Sequence, residues 1–256
     1  MNGMGKQTHE NGSTYKGQFN DGKRNGKGKQ TYPDGSTYEG EFKNDERNGQ
    51  GKNTWSLGSY EFTYEGEWED GERNGHGKGT WLYGEVYEGE WKNNMKNGQG
   101  KYTTSNGDVY EGRWEDNNRK GQGKQTCLNG NFYDGTWRDH FEHGHGKQTC
   151  SNGVFYEGML RDHFEHGHGK RDYSDGSIYK GEFKDGKRNG KGKSTFSDGR
   201  VYEGEYKDDR RTGKGKYTDS DGRVYEGEWR DDKRNGRGKK TYLNGDTYEG
   251  QWEDGK

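Results

Sequence analysis

Residues 38–54 read YEGEFKNDERNGQGKNT, and this stretch contains the pattern from which the fold follows. Over its first five residues the pattern has a period of two. Tyr38, Gly40 and Phe42 would therefore share one face of a β-strand, while two glutamates occupy the other face. A polar loop follows, and we expect residues 49–51, GQG, to begin the returning strand. The stretch predicts a β-hairpin.

The same frame recurs along the whole chain. The pattern Tyr-x-Gly-x-aromatic begins at Tyr15, Tyr38, Tyr64, Tyr87, Tyr110, Tyr133, Tyr156, Tyr179, Tyr202, Tyr225 and Tyr248. Nine of the ten spacings are 23 residues, and the one of 26 residues reflects a three-residue insertion within residues 55–63. We expect residues 1–256 to form a single repeat array with partial hairpins at 1–14 and 248–256.

Glycines and turn formers hold fixed places in this frame. Residues that we expect to define the repeat include Tyr38, Gly40, Phe42, Gly49, Gly51, Tyr87, Gly89 and Trp91. The position three after the last aromatic residue is always Gly, Asn, Asp or His, as at Asp45, and these residues tolerate the positive φ of a tight turn. A second turn, usually Asn-Gly or Asp-Gly, precedes ten of the eleven tyrosines. Gly40, between two aromatic residues, would leave a slot for a ring from the neighbouring hairpin.

The composition agrees with a β-repeat protein that has an aromatic core. Only 21% of the 256 residues are hydrophobic, but the chain has 8 Trp, 19 Tyr and 9 Phe, too many for a solvated tail. The net charge of −2 gives no general attraction to nucleic acid, and no 18-residue apolar run exists. We therefore expect a soluble, intracellular, cytoplasmic protein without a nucleic-acid partner.

The repeated pattern Tyr-Glu-Gly-Glu-Trp, then Asn-Gly, Gly-x-Gly-Lys and Asp-Gly-x-x-Tyr resembles the MORN repeat (membrane occupation and recognition nexus). The resemblance covers essentially all 256 residues and is specific because many copies stay in register. It implies an all-β fold, an elongated twisted solenoid of antiparallel hairpins of about 23 residues each. Proteins with such repeats include junctophilins, plant phosphoinositide kinases, apicomplexan cytoskeletal proteins and ciliary radial-spoke proteins. Residues 156–160, YEGML, depart from the pattern, since Met159 replaces Glu and Leu160 replaces the aromatic residue.

Several residue types that can carry chemistry do not form a site in this sequence. The stretch RDHFEHGHGK occurs at residues 138–147 and again at 161–170, and we interpret its histidines as decoration of a loop edge rather than metal ligands. Cys127 and Cys150 stand where other units have aromatic residues, so we expect small buried thiols without a disulfide. We predict no catalytic, cofactor-binding or metal-binding residues and no enzymatic activity.

One face of the predicted strands carries mixed charge. A lysine follows the second glycine of every unit, as at Lys29 and Lys52, and the resemblance links such a row to phospholipids. Glutamates such as Glu39 and Glu65 occupy the same face of the opposite strand. Cross-strand Glu–Lys pairs would neutralise the row, so binding to anionic phospholipid is possible but not favoured.

Apolar deviations give the predicted partner site. Met95, Phe141 and Phe164 stand at a loop position that is lysine in other units, and Met159 stands on the outer face of a strand. Exposed phenylalanines one repeat apart on one edge are typical of a protein-binding surface.

We therefore predict a non-catalytic scaffold of a cytoskeletal assembly. The resemblance makes a ciliary or flagellar axoneme the leading location. The alternatives are a membrane-associated adaptor that binds anionic phospholipid and the targeting region of a larger enzyme. Unpaired hairpin ends would also permit self-association.

Overall fold

The structure is a computed structural model and describes residues 2–58 and 60–256. It consists of two compact units, Met1–Leu128 and Asn129–Lys256. In the described part of the chain, no helix is long and apolar enough to span a membrane. The predicted all-β antiparallel hairpin fold is confirmed, because all regular elements of both units are strands.

In unit 1 each strand pairs antiparallel with the next, which gives an open sheet. Its strands are β1 (Gly3–Thr8), β2 (Thr14–Asn20), β3 (Lys23–Thr31), β4 (Thr37–Lys43), β5 (Glu46–Leu57), β6 (Tyr60–Glu69), β7 (Glu72–Trp81), β8 (Val86–Lys92), β9 (Met95–Thr103), β10 (Val109–Glu115) and β11 (Asn118–Thr126).

Unit 2 repeats this arrangement with the same consecutive antiparallel pairing. Its strands are β12 (Phe132–Arg138), β13 (Phe141–Thr149), β14 (Phe155–Arg161), β15 (Phe164–Asp172), β16 (Ile178–Lys184), β17 (Lys187–Thr195), β18 (Val201–Lys207), β19 (Arg210–Thr218), β20 (Val224–Arg230), β21 (Lys233–Thr241) and β22 (Thr247–Trp252).

A two-residue turn closes each hairpin on one edge. In the β4–β5 hairpin, Asn44 and Asp45 have φ of 49° and 73°, and positive φ at both central residues is the mark of a type I′ turn. The predicted positive φ at Asp45 and its equivalents is confirmed in all eleven turns, where the values run from 67° to 91°. This turn twists in the same sense as the strands and so keeps them paired.

The predicted start of the returning strand was wrong. Strand β5 begins at Glu46, directly after the turn, and not at Gly49. The pairing Gly40 to Gly51 changes to Phe42 to Arg47, so a β-bulge at Gly49, which has φ of 71°, takes up the extra residues. The polar residues that we had placed in a loop therefore belong to the strand.

The core is a ladder of aromatic rings packed edge to face. Tyr38 is fully buried, and its ring centroid lies 5.0 Å from that of Phe42 in the same strand and 5.3 Å from that of Trp68 in the next hairpin. The interplanar angles are 88° and 84°, the perpendicular geometry that the ring quadrupole favours. Within each unit such ring contacts join successive hairpins wherever the strand carries the aromatic residue, which Leu160 replaces in β14.

The ring that covers the strand glycines comes from within the hairpin, contrary to our prediction of a neighbouring one. A Cβ on Gly51 would lie 2.3 Å from the hydroxyl oxygen of Tyr38, and a Cβ on Gly40 would lie 2.7 Å from the same atom. That hydroxyl donates a hydrogen bond to the backbone carbonyl of Glu41 at 2.9 Å. The two paired glycines therefore make the space that the tyrosine of their own hairpin fills.

The three-residue insertion lengthens two strands instead of adding a loop. Strands β5 and β6 continue their pairing through Trp55 with Phe62. Their rings stack at 5.1 Å with an interplanar angle of 24°, and the ring of Trp81 lies 4.8 Å from Phe62. This part of unit 1 consequently carries a second layer of aromatic rings above the ladder.

Candidate partner-binding edge

The turn edge of the hairpins carries a column of cations that the sequence analysis missed. The Cζ of Arg47 lies 4.3 Å from the ring centroid of Trp68, and its Nη2 donates to the backbone carbonyl of Gly71, in the next turn, at 2.9 Å. The residues at this position in other hairpins are Arg24, Arg73, Lys96, Arg119, Arg188, Arg211 and Arg234. The sequence could have revealed this column, because a cation recurs two residues after the turn in most hairpins. The guanidinium groups of Arg24, Arg188 and Arg211 likewise donate to the next turn of their own unit and lie over aromatic rings.

Unit 2 inverts the charge of this column in two adjacent hairpins, where Glu142 and Glu165 take the arginine position. Glu165 is 8% exposed and forms an ion pair with Arg171, six residues further along the same strand, β15. Arg171 Nη2 donates to the carbonyl of Gly186 at 2.9 Å, which is the contact that the column arginine makes elsewhere. Arginine and its polar partner have therefore exchanged places.

Phe141 and Phe164 lie on this same edge as the first residues of β13 and β15. We had placed them in a loop, and the short turns put them in strands instead. The Phe141 ring lies 5.1 Å from the ring of His163, and a Cβ on Gly186 would lie 3.7 Å from Phe164. Each ring thus packs against the turn of the following hairpin. Phe141 nevertheless remains 48% exposed and Phe164 remains 59% exposed.

Charged residues flank these two rings. Arg138 Nη2 lies 3.4 Å from Asp162 Oδ1, and Arg161 Nη2 lies 3.0 Å from Asp185 Oδ1. In both pairs the arginine directly faces the phenylalanine across the hairpin. The edge therefore presents apolar rings within a border of opposite charges, as the rim of a protein interface commonly does.

The two methionines of the predicted site differ in their surroundings. Met159 is 44% exposed on the outer face of β14, opposite His145 of β13. Met95 belongs to unit 1, where it begins β9 and is half-buried. Of the four residues of the predicted site, Phe141, Phe164 and Met159 are thus exposed, and all three belong to unit 2.

Four histidines of the doubled stretch occupy two kinds of position. His140 and His163 have positive φ of 72° in turns, as expected. His143 and His166, predicted to lie in a loop, are half-buried in strands, with Nδ1 3.8 Å from Asp162 and 3.6 Å from Asp185. Among residues 2–58 and 60–256, no group of three or more His, Cys, Asp or Glu is arranged to hold a metal ion.

Cys127 and Cys150 are free thiols. Both are half-buried, less enclosed than the buried position that we expected. The reason is that each cysteine lies at the turn that joins one hairpin to the next. In this turn the backbone N–H of Cys150 donates to the backbone carbonyl of Val154 at 2.8 Å.

The outer face carries the predicted cross-strand pairs of lysine and glutamate. Lys29 Nζ lies 3.2 Å from Glu39 and Lys52 Nζ lies 3.3 Å from Glu65. Lysine replaces the glutamate in two hairpins, so that Lys16 faces Lys6 and Lys29, and Lys180 faces Lys170 and Lys193. Like charges directly opposite one another destabilise a sheet, so these two clusters are candidate anion contacts.

The family model of the MORN repeat matches eleven consecutive segments of the chain. They are residues 15–37, 38–60, 64–84, 87–109, 110–132, 133–155, 156–178, 179–199, 202–222, 225–247 and 248–256. Each segment begins at one of the eleven tyrosines of the frame derived above, so the period and its phase are confirmed. The matched model describes a repeat and indicates no catalytic family. No curated protein matches the chain.

Two solved structures are similar to parts of this chain. The TCP domain of SAS-4 (dCPAP) of Drosophila melanogaster, in complex with a proline-rich motif of Ana2 (dSTIL), has 14% identity and a TM-score of 0.38 over 60% of this chain and 86% of that one. A mutant of the TCP10 domain of Danio rerio CPAP has 13% identity and a TM-score of 0.40 over 86% of this chain and 95% of that one. At these scores the likenesses carry no argument about function.

Proposed function

We propose, from the premise that this chain belongs to the MORN-repeat family, that it is a non-catalytic scaffold that binds another protein through the turn edge of unit 2. The observation that carries this proposal is the pair of rings at Phe141 and Phe164, which are 48% and 59% exposed. The equivalent position in later hairpins holds Lys187, Arg210 and Lys233. Since charged residues fit that position, packing does not require phenylalanine there.

The binding mode follows from the surroundings of the two rings. Apolar side chains of a partner would cover Phe141 and Phe164, and the pairs Arg138–Asp162 and Arg161–Asp185 would lie at the rim. Met159, on the outer face, would extend the contact to a partner that wraps around the edge. Met95 would contribute a separate contact on unit 1.

Replacement of both phenylalanines tests this function. The double variant F141K/F164K introduces the residue type of Lys187 and Lys233, so it should fold. We expect a photo-crosslinking residue at position 141, introduced in cells of the source organism, to give a discrete crosslinked partner band, and the same residue at position 187 to give none. Capture of that partner should be lost in F141K/F164K and kept in the control K187Q/K233Q. Equal capture by both variants would contradict the proposal.

The proposed location is the cytoskeleton, and within it the axoneme of a cilium or flagellum. This part of the proposal rests on the family resemblance, since MORN repeats also occur in ciliary radial-spoke and other cytoskeletal proteins. A tagged chain should stay with the axoneme after detergent extraction of ciliated or flagellated cells. Complete release into the detergent-soluble fraction would contradict this location.

The second candidate function is an adaptor for anionic phospholipid, which the lysine clusters around Lys16 and Lys180 favour. Liposome sedimentation with and without phosphatidylserine separates it from the first. The variant K16E/K180E restores the glutamate of the other hairpins, as at Glu39. If lipid binding is the function, this variant should lose sedimentation, whereas F141K/F164K should keep it.

A further inference from the structure

Lys96 occupies the cation column of unit 1 at a position where most hairpins carry arginine. Its Nζ lies 4.4 Å from the ring centroid of Trp114 and 4.6 Å from that of Tyr102. The rings of Tyr87 and Trp81 follow at 5.6 and 5.8 Å. One ammonium group is therefore surrounded by four aromatic rings, an arrangement that attracts a cation through the ring quadrupoles.

Arg211 of unit 2 lies in a matching cage and provides an internal comparison. Its Cζ is 4.4 Å from the ring of Trp229 and 5.6 Å from that of Tyr217. The guanidinium also donates from Nε to the carboxylate of Asp232 and from Nη2 to its backbone carbonyl, both at 2.9 Å. The charge of Arg211 is thus neutralised by an acid in the next turn.

The cage of Lys96 lacks this acid, because the equivalent of Asp232 is the neutral Asn117. Asn117 Oδ1 accepts the backbone N–H of Lys96 at 2.9 Å. Among the described residues, the contacts recorded for Lys96 Nζ are with the four aromatic rings. Burial lowers the pKa of Lys96 to about 8, against the attraction of Glu85. The ammonium is consequently desolvated without a direct anionic partner.

A cleft of about 400 Å³ opens beside this cage. Phe62, Trp81 and Trp91 form apolar walls, and Lys96, Arg73 and Asn117 supply polar groups. The rings of Phe62 and Trp81, 4.8 Å apart, belong to the second aromatic layer that the insertion creates. The residues that line the cleft in the described ranges include two cations and no carboxylate. Such a cleft is complementary to a ligand that joins an anion to an apolar group.

We propose that this cleft binds a short acidic peptide segment of a partner protein, whose Asp or Glu carboxylate accepts hydrogen bonds from Lys96 and whose adjacent apolar side chain packs on Phe62 and Trp81. Arg73 Nη2 already donates to the backbone carbonyl of Asn94 at 2.7 Å, so the ammonium of Lys96 supplies the one positive charge that a carboxylate would balance. A phosphate group carries up to two charges and is better matched by an arginine whose planar fork is directed at the ligand. The volume of the cleft, about 400 Å³, is at the lower end of ligand-sized sites, which suits one or two side chains of an extended segment. This inference is independent of the edge proposed for unit 2, since no residue is shared.

The test uses the full chain and three capped pentapeptides measured by isothermal titration calorimetry. The probe is acetyl-Gly-Leu-Glu-Leu-Gly-amide, and its two analogues carry Gln or phosphoserine at the central residue. We expect saturable binding of the Glu probe and at least tenfold weaker binding of both analogues. The variant K96Q should weaken the Glu probe at least tenfold, and W81L, which replaces the indole wall by a smaller apolar side chain but keeps the cation, should weaken it several-fold.

The matched control is R211Q, which removes the cation from the equivalent cage of unit 2 and should leave the affinity unchanged. Near-ultraviolet circular dichroism of K96Q reports whether the aromatic cage persists. Absence of saturable binding at millimolar peptide, or equal affinity for wild type and K96Q, would overturn the proposal. Preference for the phosphoserine peptide, or sedimentation with phosphatidylserine vesicles that K96Q abolishes, would overturn the assignment to a carboxylate peptide.

Discussion

The ring of Tyr38 lies so close to Gly51 that a Cβ on this glycine would stand 2.3 Å from the tyrosine hydroxyl oxygen and 2.5 Å from Cζ. The two residues belong to opposite strands of one hairpin, β4 and β5. The same relationship joins Tyr87 to Gly100, with 2.3 Å to the hydroxyl oxygen. Since such contacts recur at the repeat period, the tyrosine and the second glycine of each hairpin act as one packing unit.

We predict that Gly51→Ala destabilises the protein. The added methyl group would overlap the Tyr38 ring, which is fully buried and cannot move away without disturbing Phe42 and Trp68. Overpacking of this kind costs about 1–3 kcal/mol, and the free energy of unfolding measured in urea should fall by that amount. The matched control is Gly22→Asn, because Asn94 occupies the equivalent turn position with φ of 67°. Equal stability of G51A and G22N would contradict the packing described here.

The sequence predicted the local geometry of a hairpin well but not the way in which its parts combine. The period of two over residues 38–42 is sufficient to place Tyr38 inside, and the residue types at Asp45 are sufficient to predict a tight turn. The start of the returning strand was wrong because a bulge at Gly49 leaves no mark that distinguishes it from a loop glycine. The register of the hairpin, not its composition, shows that the tyrosine ring reaches the glycine of its own hairpin.

The candidate sites depend on contacts between hairpins. The sequence of a single repeat does not show which residues of the next repeat its side chains contact. Phe141 and Phe164 could be identified as deviations because the repeat supplies the expected residue at each position. The role of the cation column was missed because Arg47 and its acceptor Gly71 are 24 residues apart. The cage of Lys96 could be recognised only in the structure. What distinguishes it is that the neutral Asn117 stands in the next turn, where the equivalent cage of Arg211 has an acid.

Alkaline pH should destabilise the chain through its buried tyrosines. Burial raises the pKa of Tyr110 and Tyr156 to about 12, against a value of about 10 in the unfolded chain. The folded state therefore retains these protons where the unfolded state has released them. The resulting stability is fully present below pH 10 and is lost as the pH rises from about 10 to about 12.

Urea titrations at intervals across this range, together with tyrosinate absorbance, measure the effect. The unfolding midpoint should fall steadily above pH 10, and the buried tyrosines should ionise only as the chain unfolds. A midpoint that stays constant to pH 12 would be inconsistent with the burial of the tyrosines.

Arg47→Gln should destabilise unit 1 by about 1–3 kcal/mol, the sum expected for a cation–π contact and a hydrogen bond. The variant loses the contact with Trp68 at 4.3 Å and the bond to the carbonyl of Gly71 at 2.9 Å. The control is Lys43→Gln, because Lys43 is exposed at the end of β4. Chemical denaturation of both variants provides the comparison, and a loss in R47Q no larger than in K43Q would argue against a structural role of the cation column.

The exchanged pair Glu165 and Arg171 predicts a reciprocal rescue. Glu165→Arg alone would place two cations side by side, where side-chain exposures are only 10% and 16% in the native pair, and should cost about 3–5 kcal/mol. The double variant E165R/R171Q recreates the pairing of Arg24 with Gln30 and should recover most of the loss. A double-mutant cycle in urea measures the coupling. Additive effects of the two changes would show that the exchange has no structural basis.

The most direct test of the ring-over-glycine packing is an NMR measurement of the glycine Hα resonances. In each hairpin one Hα of the second glycine, as in Gly51 and Gly100, takes the direction in which an added Cβ would meet the tyrosine ring. Ring currents should shift these protons strongly upfield relative to Gly35, whose added Cβ would meet nothing within 4 Å. Tyr38→Leu should abolish the shift of Gly51 and leave that of Gly100, which lies against Tyr87, unchanged. Hα resonances of Gly51 and Gly100 at the position of Gly35 would contradict the account.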